Sequence, residues 1–171
     1  MRALKIFLSC ITAASFAGCA GYHLGAVNGV QAGARTIEVR PFDNETLQPR
    51  LNEAVTESLR ERLQTDATYR LATRKNEGDI VVTGVIRQYA RQGLGFLNTD
   101  VTTPDNYRVD VAVHVVAVDR QLGKKILEKD VRGHTFVHVG SDLVGAERQA
   151  MPSLADDLAR NIAELLTEGG W

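Results

Sequence analysis

The sequence predicts an α+β fold, a two-layer sandwich in which a mostly antiparallel sheet of about four strands carries two helices on one face. Three patterns predict it. Apolar residues alternate strictly along residues 107–115, whereas they recur every four residues along 51–63 and form a long stripe along 142–168. Alternation is typical of a half-buried strand, and the four-residue recurrence is typical of a helix face. The two stripes and the sheet face can bury one another only if both helices lie on the same side.

The element order is predicted as β-α-β-β-β-α. Residues 36–42 form a short strand closed by Pro41. Residues 44–64 form an amphipathic helix with Pro49 in its first turn, and its charged side is interpreted as solvated rather than as a partner site. Its apolar side carries Leu51, Val55, Leu59 and Leu63.

Three antiparallel strands are predicted next. They cover residues 79–89, which are nearly continuously apolar, then 107–115, and then 125–136 after a hairpin through 119–124. The last of them is irregular and is interpreted as an edge strand. Residues 69–73 favour a short additional strand.

The terminal segment, residues 142–168, is predicted to be a long helix capped by Ser141 or Asp142. Pro152 lies inside it. Because proline lacks the backbone donor and clashes with the preceding turn, a kink or a break is expected there.

The first 18 residues have the pattern of a bacterial lipoprotein signal peptide that is removed. Arg2 and Lys5 precede a short apolar run, and small residues lead to Cys19. The run is too short for a transmembrane helix, which needs roughly 20 residues. Cys19 is therefore predicted to be the mature N-terminus, carrying an S-diacylglycerol and an N-acyl chain such as palmitate. The alternative is a plain secretory signal in which Cys19 is incidental.

The mature chain is interpreted as a tether, residues 19–35, followed by one domain, residues 36–171. Cys10 is removed and Cys19 is modified, so the domain has no free thiol and depends on an ordinary hydrophobic core. The 153 residues from Cys19 onward fit one domain. Their 18 basic and 21 acidic side chains give a net charge of −3, which argues against nucleic-acid binding.

Catalysis is poorly supported by the residue pattern. His134 and His138 share a strand face without a carboxylate in a ligand pattern, so a surface pair is favoured over a metal site. The adjacent Asp156 and Asp157 are interpreted as solvated, and the glycines of residues 93–95 do not open a helix. The prediction is a binding protein, not an enzyme, without metal or cofactor apart from the lipid on Cys19.

Residues 91–106 are the strongest candidate for a binding feature. They are interpreted as a long connection in which Leu94, Phe96 and Leu97 suit insertion into a partner. The alternative is a floppy loop whose Phe96 folds back on the core.

Cations lie near this connection and at the next hairpin. Arg87, Arg91 and Arg108 bracket the connection, and Lys124 and Lys125 mark the hairpin. Arginines of this kind can hold phosphate groups through two hydrogen bonds. The lysines fit equally well as charges that protect a sheet edge from aggregation, which is the reading favoured for them.

Segments throughout the chain resemble the LptE family of lipopolysaccharide-assembly lipoproteins. The matching segments are CAGYHL at 19–24, IxVxPFxNxT at 37–46, DIVVTGxI at 79–86, YxV at 107–109, and the terminal helix with Arg148 and Ala155. Each segment is weakly specific, and their order and spacing carry the resemblance.

The resemblance implies an outer-membrane lipoprotein, on the periplasmic side, that plugs an LptD-type β-barrel, assists its assembly, and helps insert lipopolysaccharide in the outer leaflet. It implies that Arg91, Arg108, Lys124 and Lys125 meet lipopolysaccharide phosphates and that Leu94, Phe96 and Leu97 contact the barrel. The family also has basic residues near the entrance to the last helix, which residues 137–145 do not match.

Two other function classes compete with this one. Lipoprotein activators of penicillin-binding synthases, the LpoB type, share a similar Pro-Phe-x-Asn-x-Thr segment, but they usually carry a long tether. Here only about 15 residues separate Cys19 from the first predicted strand, and they reach roughly 50 Å when fully extended. That reach favours a partner at the membrane itself. A periplasmic enzyme would require a pocket with coupled ionisable groups.

Overall fold

The computed structural model describes residues 33–97, 100–139 and 142–168. The predicted signal peptide, Cys19 and the tether up to residue 32 lie outside the described residues. The described part forms a mixed α+β fold. Its strands are β1 (Thr36–Val39), β2 (Asp43–Asn44), β3 (Arg70–Leu71), β4 (Ile80–Leu97), β5 (Asp100–Asp119) and β6 (Lys124–His138), and its helices are α1 (Leu51–Asp66) and α2 (Leu143–Glu168).

The sheet has six strands, not the four predicted. Its order is β3-β1-β4-β5-β6, with β2 also paired to β4. The antiparallel part, β4-β5-β6, was predicted, whereas β1 lies parallel to both β3 and β4, and β2 is parallel to β4. Pro41 explains part of the difference, because it interrupts the first strand and pairing resumes at Asp43. The short strand at 69–73 and the edge position of β6 are confirmed.

The predicted long connection at residues 91–106 is wrong. β4 continues to Leu97 and β5 begins at Asp100, so nearly all of this segment is paired antiparallel sheet. Its glycine, asparagine and threonine content suggested a loop, but cross-strand pairing overrides composition here. The register shifts several times beyond Gly93, as glycine-containing bulges allow.

Both helices pack on one face of the sheet, as predicted. The alternating valines Val109, Val111, Val113 and Val115 of β5 are buried, and so are all four predicted apolar residues of α1. From α2, the core receives Leu154, Leu158 and Ile162 together with intervening alanines. One continuous core results, and the other face of the sheet carries no helix among the described residues.

Gly133 of β6 allows α2 to approach the sheet closely. A Cβ atom at this position would lie 3.0 Å from the Cα atom of Leu158. That contact would be with helix backbone, so a side chain at this position would push the two layers apart.

Helix α2 runs without interruption through Pro152, so the expected break is absent. Leu154, Leu158 and Ile162 follow the proline in the core, and this packing holds the helix in place despite the lost hydrogen bond. Helix α1 begins at Leu51, two residues after Pro49, and the intervening Arg50 has a left-handed backbone. No helix in the described ranges is both long enough and apolar enough to cross a membrane.

Candidate functional site

A β-bulge in β4 decides which way Arg91 points. Pairing with β5 shifts between Ile86 and Gln88, so Arg87 is the extra residue. After the bulge, Tyr89 pairs with Val111 and Arg91 pairs with Val109, two valines of the core face. Strict alternation from Ile86 would have placed Arg91 on the opposite face. The bulge therefore turns Arg91 toward the helices.

Arg91 contacts an acidic residue of α2. Its Nε atom lies 2.8 Å from Oε1 of Glu147, whose side chain is only 8% exposed, whereas Arg91 is 46% exposed. The guanidinium also lies 5.8 Å from the centre of the Tyr89 ring. Burial, followed by the nearby Glu147 carboxylate, raises the pKa of Tyr89. An arginine, a carboxylate and a phenol ring thus lie close together where β4 faces α2.

Arg91 lines a groove between α1 and the first half of α2. The groove has a volume of about 760 Å³. Its apolar lining comes from Ala54, Val144, Met151, Pro152 and Ala155, its arginines are Arg50, Arg91 and Arg148, and its carboxylates are Glu53, Glu57, Glu61 and Glu147. Val144 is 63% exposed, so part of the apolar lining faces solvent. A second hollow of about 640 Å³, beside Leu47 and Arg87, shares Arg91 with the groove.

Arg148 is a site residue that the sequence reasoning missed. It is exposed near the start of α2 and lines the same groove as Arg91. Residues 137–145 contain no lysine or arginine, and Arg148 lies three positions beyond them in α2. Helical spacing carried the signal, because residues 144, 148, 151 and 155 recur on one face. Among the described residues, Arg148 makes no ion pair.

Arg108 lies on the opposite face of the sheet from Arg91. It pairs across the sheet with Gln92 and Phe136, and its Nε lies 2.9 Å from Oδ1 of Asp110. Phe136 is 62% exposed, so this face carries an exposed aromatic ring beside the charged Arg108 side chain. The two arginines are neighbours in register but cannot hold the same small group from one side.

Lys124 and Lys125 lie at the far end of the sheet. They begin β6, at the level where Asp119 and Val118 end β5. Arg108 and Asp119 are eleven positions apart on β5, which is roughly 35 Å along a strand. Lys125 Nζ lies 3.0 Å from Oε2 of Glu128. The structure therefore does not bring the lysines together with Arg91 or Arg108.

Of the three apolar residues predicted to contact a barrel, Leu94 is half exposed, and its backbone lies within β4. Phe96 and Leu97 end the same strand, and their side chains lie outside the described part of the chain. These residues lie at the end of the sheet formed by the β4–β5 hairpin.

His134 and His138 each contact a neighbouring element of the fold. The His134 backbone N–H donates to Oδ2 of Asp157 at 2.9 Å, which fastens α2 to β6. His138 Nδ1 lies 2.8 Å from Oδ1 of Asn106 across the sheet. Within residues 33–97, 100–139 and 142–168, no three His, Asp or Glu side chains are grouped as metal ligands.

Comparison with solved structures shows the same fold in other bacterial proteins. A hypothetical protein of Chlamydia trachomatis is 13% identical with a TM-score of 0.59, covering 80% of this chain and 97% of its own. A minor lipoprotein of Acinetobacter baumannii (13%, TM-score 0.52) covers 78% and 93%, and an uncharacterized lipoprotein B of Nitrosomonas europaea (9%, TM-score 0.52) covers 80% and 86%. At these identities, the likeness concerns the fold alone.

Comparison with curated protein sequences gives no significant match. The sequence profile of one family, LptE, described as lipopolysaccharide-assembly, matches residues 34–166. This match covers most of the chain, including every described strand and nearly all of α2. The chain therefore belongs to the LptE lipopolysaccharide-assembly family.

Proposed function

We propose that this protein is a lipid-anchored component of lipopolysaccharide assembly at the outer membrane, and that it contacts lipopolysaccharide at the groove between α1 and α2. The observation that carries the proposal is the position of Arg91, which the β4 bulge turns into a groove with an apolar lining and a second cation, Arg148. Membership of the LptE family supports the same activity.

The chemistry of the groove suits a phosphorylated amphiphile. Guanidinium groups bind phosphate through paired N–H donors, and Arg91 and Arg148 offer two such groups on one groove. Met151, Pro152 and the exposed Val144 provide apolar surface beside them. A headgroup phosphate at the arginines would therefore place attached hydrocarbon against apolar side chains.

The partner and the anchor are further parts of the proposal. Cys19, with its S-diacylglycerol and N-acyl chains, would hold the domain at the periplasmic side of the outer membrane, where an LptD-type β-barrel is the expected partner. The β4–β5 hairpin, with Leu94, Phe96 and Leu97, would contact the barrel. The protein acts in this scheme by binding, with no catalytic step. The short segment after Cys19 argues against the LpoB-type alternative.

Equilibrium binding of purified lipopolysaccharide to the mature chain tests the groove. Arg91→Gln and Arg148→Gln should each weaken binding about twofold to fivefold, the range of one partly exposed charge contact. Arg132→Gln, which removes an exposed arginine from β6, is the matched control and should leave binding unchanged. Thermal unfolding of each variant confirms that it is folded. If both groove variants are folded and bind like the wild type, the groove is not the contact.

Affinity purification from outer membranes tests the partner. The full chain should recover a large β-barrel protein, and Cys19→Ala should recover less of it, because an unanchored chain is diluted in the periplasm. Recovery of a peptidoglycan synthase instead would favour the LpoB-type alternative.

A further inference from the structure

Glu147 is an unusual neighbour for an arginine that is proposed to bind anions. Its carboxylate is buried, lines the groove, and lies 2.8 Å from the Nε atom of Arg91. A negative charge at this position opposes any anion that approaches the same guanidinium. Its presence calls for an explanation that anion binding alone does not provide.

The contact between the two residues is a charge contact without hydrogen-bond alignment. Despite the short distance, Oε1 of Glu147 accepts no hydrogen bond from any described residue. A buried carboxylate in this state gains strongly from keeping a cation nearby. A phosphate oxygen with better alignment can compete for the guanidinium, but Glu147 continues to attract it.

The surroundings leave Arg91 able to exchange partners. Its side chain is about half exposed, and the Tyr89 ring at 5.8 Å provides a neutral surface beside which it can shift. Glu147 lies on α2 with its side chain only 8% exposed, so the carboxylate is the more confined partner and the guanidinium is the freer one.

We infer that Glu147 weakens the Arg91 contact so that a bound anionic headgroup is released, making it an affinity-setting residue of the groove. This inference rests on the proposed lipopolysaccharide contact at Arg91 and concerns how tightly that contact holds. A protein that passes its ligand onward must release it, and a carboxylate that competes for Arg91 speeds that release. Glu147 acts through Arg91 and is a positioning residue.

The test is a double-mutant cycle on the mature chain with purified lipopolysaccharide, measuring both affinity and dissociation rate. Glu147→Gln should tighten binding about threefold to tenfold, mainly through slower dissociation, because it removes the competing charge and keeps the shape. In an Arg91→Gln background, the same change should have no effect. Glu77→Gln, which removes a carboxylate from the exposed Arg74–Glu77 pair outside the groove, is the matched control and should leave the dissociation rate unchanged.

The outcomes distinguish the proposed contact at Arg91 from the role inferred for Glu147. If Arg91→Gln binds like the wild type, the proposed contact at Arg91 fails. If Arg91→Gln weakens binding while Glu147→Gln binds equally or more weakly than the wild type, the contact stands and the inference is overturned. A gain that persists in the Arg91→Gln background also overturns it, since the effect would not run through Arg91. Should Glu147→Gln unfold, Glu147→Met provides the same comparison with an apolar side chain that suits the buried position.

Discussion

The hydroxyl of Thr56 joins the first helix to the sheet. It accepts a hydrogen bond from the backbone N–H of Phe42 at 3.0 Å and donates one to the carbonyl of Asn52 at 2.6 Å. Phe42 in turn covers Gly84 of β4, where an added Cβ would lie 2.4 Å from the ring. The Phe42 ring therefore fills the space that the absent side chain of Gly84 leaves.

Thr56→Val should destabilise the protein by about 1–3 kcal/mol, because it leaves the buried N–H of Phe42 without an acceptor. Chemical denaturation measures the change in unfolding free energy. Thr65→Val is the matched control. Thr65 makes the same kind of bond to the carbonyl four residues earlier in α1, at 2.9 Å, but is exposed. Equal effects of the two substitutions would contradict the role given to Thr56.

Two aspartates make the stability of the fold depend on pH. Hydrogen bonds from the backbone and the side chain of Thr36 lower the pKa of Asp79. Hydrogen bonds from the Leu122 backbone, and the guanidinium of Arg35, lower the pKa of Asp119. A carboxyl group whose pKa is lower in the folded state stabilises the protein above its unfolded pKa, and that stabilisation is lost as the pH falls through the folded value.

The unfolding free energy should therefore be constant above about pH 5 and should fall as the pH drops below about 4, near the ordinary pKa of aspartate. Asp119→Asn should lower stability at neutral pH and make the acid-side decline shallower, because the amide does not titrate. Denaturation midpoints measured from pH 7 to pH 3 check this. A decline as steep as that of the wild type would show that Asp119 does not contribute.

At the scale of elements, hydrophobic periodicity correctly predicted the strands and helices whose apolar residues repeat regularly. The valines of β5 and the leucines of α1 lie in the core. A repeat of two places side chains on one face of a strand, and a repeat of about four places them on one face of a helix. The bulge at Arg87 had no such signal, since one inserted residue leaves the composition unchanged. Arg91 was therefore recognised as a candidate, while its direction and its partner Glu147 were not. The long hairpin was missed because the glycines at 93 and 95 imitate a loop.

Pro152 lies inside a continuous helix, although proline disfavours the interior of a helix. Helix α2 continues through it, so the carbonyl of Arg148, four residues earlier, lacks its usual helical donor.

Pro152→Ala should therefore raise the unfolding free energy by about 1–3 kcal/mol, because alanine restores the backbone donor and relieves the clash. The matched control is Pro49→Ala. Pro49 precedes α1, where no helical hydrogen bond is missing, so no gain is expected. Chemical denaturation of both variants is the measurement. If Pro152→Ala gives no gain, the carbonyl of Arg148 is already satisfied by another group.

At the scale of the whole molecule, the architecture separates its surfaces. Both helices cover one face of the sheet and form the groove with Arg91 and Arg148, while Arg108 and Phe136 lie on the other face. The lysines of the β5–β6 hairpin lie at the far end. One domain can thus contact a ligand on its helical side and a protein partner elsewhere. The sequence predicted the cations but not this separation, because chain order does not reveal on which face a strand residue lies after a bulge.

The most direct test of the central claim, that this protein serves lipopolysaccharide assembly, is depletion of the protein in its own cells, followed by measurement of lipopolysaccharide at the cell surface. Surface lipopolysaccharide and the mature β-barrel partner should both fall, and both should recover when the wild-type chain is supplied. Unchanged levels of both after complete depletion would contradict the account.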